Sequence, residues 1–162
     1  MLAAGLVRPA LRWWPIADAA GGTVRDRTWA LLTLAEPRVP GTTKRFEDWQ
    51  ASETERLGEG RAKRRAQLLA AALAGLGGND GRLGKLLDDL DVAPLDTVWT
   101  RRIDAASRAG RVGEVALLAA IGLQTDWAGV PPRHLAHILA AYRRIGRTHE
   151  AHMLAVEALS RG

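Results

Sequence analysis

The chain has 162 residues, of which 47% are apolar and 25% charged, with no cysteine and a net charge of +5. That length holds one domain with a real core, and that composition excludes a disordered chain. The lack of cysteine excludes a disulfide framework, a thiolate metal site and a thiol nucleophile.

The positive excess is local. Residues 1–60 balance eight basic side chains against eight acidic ones, and residues 61–78 carry four basic and none acidic. Residues 79–98 sum to −3 and residues 99–162 to +4. No stretch approaches about 18 uncharged apolar residues, so no membrane span is expected. The opening Met1–Pro9 has too short an apolar run and no basic leader for a signal peptide, which inclines the reading toward a soluble, cytoplasmic chain. Heavy use of Ala, Gly and Arg matches a GC-rich bacterial genome.

In chain order, Leu11–Ala20 and Thr28–Ala35 are short apolar segments separated by Gly21-Gly22 and closed by Pro37 and Pro40. They read as a helical hairpin, with Pro15 kinking the first segment or sitting in a helical first turn. The tryptophans Trp13 and Trp14 fill the space between helices more readily than they anchor a partner. Arg38–Gly60 reads as irregular and charged, with one docked turn carrying Phe46 and Trp49. Residues 1–60 thus form an N-terminal hairpin plus an irregular segment, and residues 61–162 a helical-repeat region of the same domain.

Arg61–Leu76 is a helix, with Leu69, Leu73 and Leu76 on one face. Gly77–Gly81 stops it, and a second helix follows at Arg82–Leu90. Asp96 is the expected N-cap of a helix over Thr97–Ala109, which Gly110 ends. A return helix follows at Glu114–Leu123. After the Val130-Pro131-Pro132 connector, helices over Arg133–Ile145 and Thr148–Leu159 turn at Gly146. About six to eight helices are expected in all.

Few residue groups suggest chemistry. All four histidines, His134, His137, His149 and His152, fall within nineteen residues. The hairpin places only His137 and His152 at similar heights, so no four-histidine cage and no metal is expected. The run Gly75–Lys85 is not a phosphate loop, because Asn79 replaces its first glycine and Leu86 its Ser or Thr. Asp88, Asp89 and Asp91 lack calcium-loop spacing. No nucleophilic triad is evident, so neither a catalytic residue nor a cofactor is expected. The cluster Arg61, Lys63, Arg64 and Arg65 is the one feature suited to nucleic acid or an anionic surface. Glu53, Glu55 and Glu59 stand just before it and can offset it.

The last third carries an internal similarity. Residues 108–119 and 144–155 share six of twelve positions at an offset of 36: Arg108/Arg144, Gly110/Gly146, Arg111/Arg147, Glu114/Glu150, Leu118/Leu154 and Ala119/Ala155. A repeat of that period means stacked helical hairpins. Trp99 and Leu135, Ile103 and Leu139, Ala106 and Tyr142, and Val115 and Ala151 also correspond. This pattern resembles a degenerate tetratricopeptide repeat, with units at 99–122 and 135–158. Gly81-Arg-Leu-Gly84 echoes Gly110-Arg-Val-Gly113, which suggests a third, worn unit over 62–90.

The resemblance implies an all-α fold of antiparallel helical hairpins stacked as a short tetratricopeptide-like α-solenoid. It implies non-catalytic protein–protein interaction, as a scaffold or assembly module. The candidate surfaces are grooves near Arg101, Arg108, Tyr142 and Arg143, and an apolar back of the last helix at Met153 and Val156. The expected occupant of that back is another chain or a homo-oligomer contact. The alternative is nucleic-acid or anionic-surface binding through Arg61–Arg65.

Overall fold

The structure, a computed structural model, describes residues 6–36, 43–78, 81–92 and 96–162. Among these residues every regular element is an α-helix, so the fold is all-α. The elements are α1 (Val7–Leu11), α2 (Trp14–Ala20), α3 (Gly22–Ala35), α4 (Thr43–Leu57), α5 (Glu59–Gly75) and α6 (Gly81–Asp89). They continue as α7 (Val98–Arg108), α8 (Val112–Gly122), α9 (Pro132–Arg144) and α10 (Thr148–Arg161). Ten described helices exceed the six to eight expected. The difference comes from the N-terminal third, where short helices meet at tight breaks. No described helix is long and apolar enough to cross a membrane.

Pro15 lies in the first turn of α2, where its missing N–H costs nothing. Gly21 and Gly22 both take positive φ, which lets the chain reverse between α2 and α3 with no connecting loop. The expectation of an irregular 38–60 segment fails over 43–57, which is the helix α4. Phe46, Trp49 and Glu53 stand at i, i+3 and i+7 and form its buried side. Phe46 and Trp49 meet edge to face, with ring centroids 5.7 Å apart. The helix was hidden in the sequence because its third inward residue is a carboxylate. Likewise α7 is capped not by Asp96 but by Thr97, whose hydroxyl accepts from the Thr100 N–H in a reciprocal capping box.

Glu53 has no exposed surface, and cations from three helices gather around it. Arg65 of α5 donates to it at 2.5 Å, and Arg56 of α4 makes contacts of 2.9–3.2 Å to both carboxylate oxygens. Arg27 of α3 stands 3.8 Å away. Burial by itself would raise the Glu53 pKa, but hydrogen bonds from Arg56 and the Arg65 charge outweigh it and hold the carboxyl below its ordinary range.

α9 occupies the middle of the molecule. It packs against α5 on one side, against α7 and α8 on another, and pairs with α10. The larger core joins Trp29 and Leu34 of α3, Phe46 and Trp49, Leu68 and Leu69 of α5, Leu135 and Leu139 of α9, and Val156 and Leu159 of α10. A smaller core joins Ile103 and Ala106 of α7, Val115 and Ala119 of α8, and Ile138 and Ala141 of α9. Helix order in space therefore differs from order in the chain: α5 lies beside α9, and α3 lies on α10.

Two substitutions test this packing. A Cβ on Gly75 would stand 2.6 Å from the Ala136 carbonyl oxygen and 2.8 Å from the Leu139 Cβ, so α5 and α9 would have to separate. Gly75→Ala is expected to lower stability by about 1–3 kcal/mol, whereas Gly84→Ala, in open space within α6, raises it by about 0.5–1 kcal/mol. Urea unfolding of both variants measures the contrast.

Removing the Glu53 charge tests the second constraint. Glu53→Gln leaves Arg65 buried and uncompensated, an expected loss of about 3–5 kcal/mol. Because the folded pKa is depressed, the wild-type contribution is fully present above the ordinary carboxylate pKa and lost as pH falls through the lowered one. The urea midpoint of the wild type should fall over that acidic window, and that of Glu53→Gln should fall less.

Candidate functional site

The four cations of the Arg61–Arg65 run separate by helical position. Arg61 and Lys63 are exposed on α5. Arg65 points inward to Glu53, as the acidic residues ahead of the run made plausible. Arg64 crosses to the connector between α8 and α9, donating to the Trp127 carbonyl at 3.2 Å and to the Val130 carbonyl. Burial depresses the pKa of Arg64, and its Nε has no hydrogen-bond partner. Half the run is thus engaged inside the fold, which leaves no four-cation surface patch.

The residues expected to line grooves also divide. Arg101 and Arg108 are exposed, with Arg101 paired to Asp96 at 3.0 Å. Tyr142 is half-buried where the two cores meet. Arg143 is turned onto the end of α5, where its guanidinium covers Gly77 and donates to the Gly75 carbonyl at 3.2 Å. A cation there satisfies a terminal carbonyl and complements the helix dipole.

The expected apolar back of α10 is covered by this chain itself. Val156 is 3% exposed within the larger core, and Met153 is half-buried. His152 Nδ1 bonds the Leu34 carbonyl oxygen of α3, which seats α3 along that side of α10. Val156 is therefore unavailable as a docking residue, because α3 fills the place assigned to a partner.

The histidines serve separate contacts. His134 stacks on Trp99 with ring centroids 4.4 Å apart, and burial first, then nearby positive charge, lowers its pKa. His137 Nδ1 lies 3.1 Å from Asp104 Oδ2, while Arg144 reaches Asp104 at 3.8 Å and donates to the Ser107 hydroxyl at 2.5 Å. This cluster ties α7 to α9. Its free imidazole nitrogen, His137 Nε2, is sealed from solvent, so a substrate has no approach to it. Among the described residues no group of three or more histidines and carboxylates gathers to hold a metal.

An open cavity of about 500 Å³ lies between the α8–α9 connector and α10, bordered by Leu123, Trp127, Val130, Leu154, Glu157 and Arg161. Glu157 and Arg161 are joined at 3.3 Å on its border, and the Asp126 carboxylate, which accepts from the Gly129 N–H at 3.0 Å, borders it as well.

The surface that the sequence reading missed is on α8. Val112, Leu117 and Ile121 are large, apolar and exposed, with Leu117 at 63%. Gly113, Ala116 and Ala120 are exposed beside them, making a shallow strip between larger side chains. Only Val115 and Ala119 of this helix are buried. The neighbouring outward side of α7 carries Arg101, Arg102 and Arg108 around an exposed Val98. The signal was present in the sequence, since Val112–Gly122 contains a single charged residue, Glu114, and is apolar on every side. Such a helix is buried or partnered, and α8 is bare on one side.

Comparison of the chain with protein-family models, with curated proteins and with solved structures finds no match.

Proposed function

We propose that the chain is a non-catalytic protein–protein interaction module built on helical hairpins of the tetratricopeptide-like kind its sequence resembles. The observation that supports this reading most directly is the bare strip of α8, where Leu117, Ile121 and Val112 flank small residues. Contiguous exposed apolar surface is costly for a solitary protein and marks an interaction face. A strip of large side chains around a small-residue gap accepts another helix in the manner of ridges and grooves. The only carboxylate on α8, Glu114, is already bound to Arg111 at 2.6 Å, so covering the strip strands no charge. The nucleic-acid reading keeps only Arg61 and Lys63 of its four cations at the surface, and correspondingly few phosphate contacts.

Photo-crosslinking tests the proposal. A benzophenone amino acid at position 117, expressed in the native host, should give protein adducts of defined mass. Those adducts should disappear with Ile121→Asp and be absent when the probe is at position 61. No protein adduct at 117 would overturn the reading. Nuclease-sensitive adducts at 61 would favour the anionic alternative.

A further inference from the structure

The paired tryptophans near the start of the chain divide between two environments. Trp14 is half-buried against the larger core, with the Arg45 guanidinium 5.1 Å from its ring centroid. Trp13, its neighbour, is 53% exposed. Helical position explains the difference. Arg12 and Trp13, between α1 and α2, keep right-handed helical dihedrals, so the helical period runs on from Val7 to Ala20. The two helices are parted where Pro15 has no N–H to offer the Leu11 carbonyl.

Val7, Ala10, Trp14 and Ala17 stand at i, i+3, i+7 and i+10 and face inward. Each is preceded by an exposed residue, and those four, Leu6, Pro9, Trp13 and Ile16, repeat the same spacing. They form one ridge, about 100° round the helix from the buried side. Leu6 is 49% exposed on it and Ile16 60%. Arg8 and Arg12, one turn apart and exposed, run along the outer edge of that ridge. The chain from Leu6 to Ala17 holds no carboxylate. The next acidic residues, Asp18 and Asp26, are engaged by Arg45 at 3.6 Å and by Arg25 at 2.8 Å. Arg8 and Arg12 therefore have no carboxylate partner among the described residues.

We infer that this ridge seats on an anionic lipid bilayer, with Trp13 and Ile16 entering at the headgroup level and Arg8 and Arg12 meeting the lipid phosphates. Charge selects the occupant. The ridge carries two free cations and no carboxylate, so a negative surface meets attraction and no like charge. Shape selects a fluid surface. These side chains project from the outside of a helix, and a deformable layer takes them without a matching groove. The strip of α8 differs, since its large side chains flank a gap. An indole, an apolar ring with one polar N–H, is also most stable at a boundary between water and hydrocarbon. A helix held by its own fold on one side, with tryptophan and arginine on the other, is suited to lie flat in such an interface. A nucleic acid would find only two cations for its phosphates here. The inference is separate from the docking reading of α8, because α1 and α2 rest on α3 whereas α8 rests on α7 and α9.

Sedimentation of the full chain with lipid vesicles tests this. It should bind vesicles of equal parts phosphatidylglycerol and phosphatidylcholine, and its affinity for pure phosphatidylcholine should be at least about tenfold lower. Arg8→Glu with Arg12→Glu should weaken binding to the mixed vesicles at least about tenfold. Arg61→Glu with Lys63→Glu, on exposed positions of α5, changes the net charge equally and should leave binding within about twofold. Trp13→Ser with Ile16→Ser should weaken it at least about tenfold. Circular dichroism checks that the variants fold. Vesicles with brominated acyl chains add a readout that spares the fold: they should quench the tryptophan fluorescence of the wild type. Trp13→Phe should still bind and lose most of that quenching.

A wild type that does not bind the mixed vesicles overturns the inference, as does an equal loss in the α5 charge variant, which marks general attraction. Unchanged quenching in Trp13→Phe overturns it too, because another part of the chain then enters the lipid. RNA binding through Arg8 and Arg12 without vesicle binding would place a nucleic acid on the ridge instead. The adducts at position 117 judge the docking reading separately in every case.

Discussion

The close approach of α5 to α9 at Gly75 is the constraint on which the rest of the structure depends. Without a side chain at that position, the α5 backbone reaches the Ala136 carbonyl and the Leu139 side chain of α9. One turn farther along α9, Arg143 lies across the end of α5 and satisfies the Gly75 carbonyl. Together these contacts fix where α5 stops and how it lies on α9. From that placement α4 follows through the Glu53–Arg65 pair, and α3 through its contacts with α4 and α10. The N-terminal helices thereby become neighbours of the C-terminal hairpin rather than a separate appendage.

Much of the charge in this chain is structural. Arg64 holds the α8–α9 connector, Arg65 and Arg56 balance a buried carboxylate, Arg143 caps a helix, and Arg144 closes the Asp104–His137–Ser107 cluster. A guanidinium suits these tasks because it presents several donors in a rigid plane and stays charged when partly buried. The high arginine content is consequently a poor guide to the surface field, and a basic run in the sequence overstates the basic patch on the fold.

The helices of the second half were legible in the sequence, since apolar periodicity, glycine stops and the Pro131-Pro132 start agree there. α4 was not, because one of its three inward residues is Glu53, whose burial depends on arginines elsewhere in the chain. The burial of Val156 was missed for a related reason. An apolar back on α10 signals a partner, but sequence alone does not say whether that partner is in the same chain. Here it is α3, drawn from more than a hundred residues away. The equivalent signal on α8 lacked any periodic contrast, since small and large apolar residues surround the whole helix.

The His152–Leu34 contact spans 118 residues and joins the first long helix to the last. A chain emerging from the ribosome makes α3 early and α10 late. Trp29 and Leu34 must therefore stay without their final cover while most of the protein is still being synthesised. α7, α8 and α9 are complete before then and can assemble from local contacts. The long closure of the fold thus sets an order of events: α3, α4 and α5 pair locally, as do the later hairpins, and α3 is seated on α10 only when that last helix arrives.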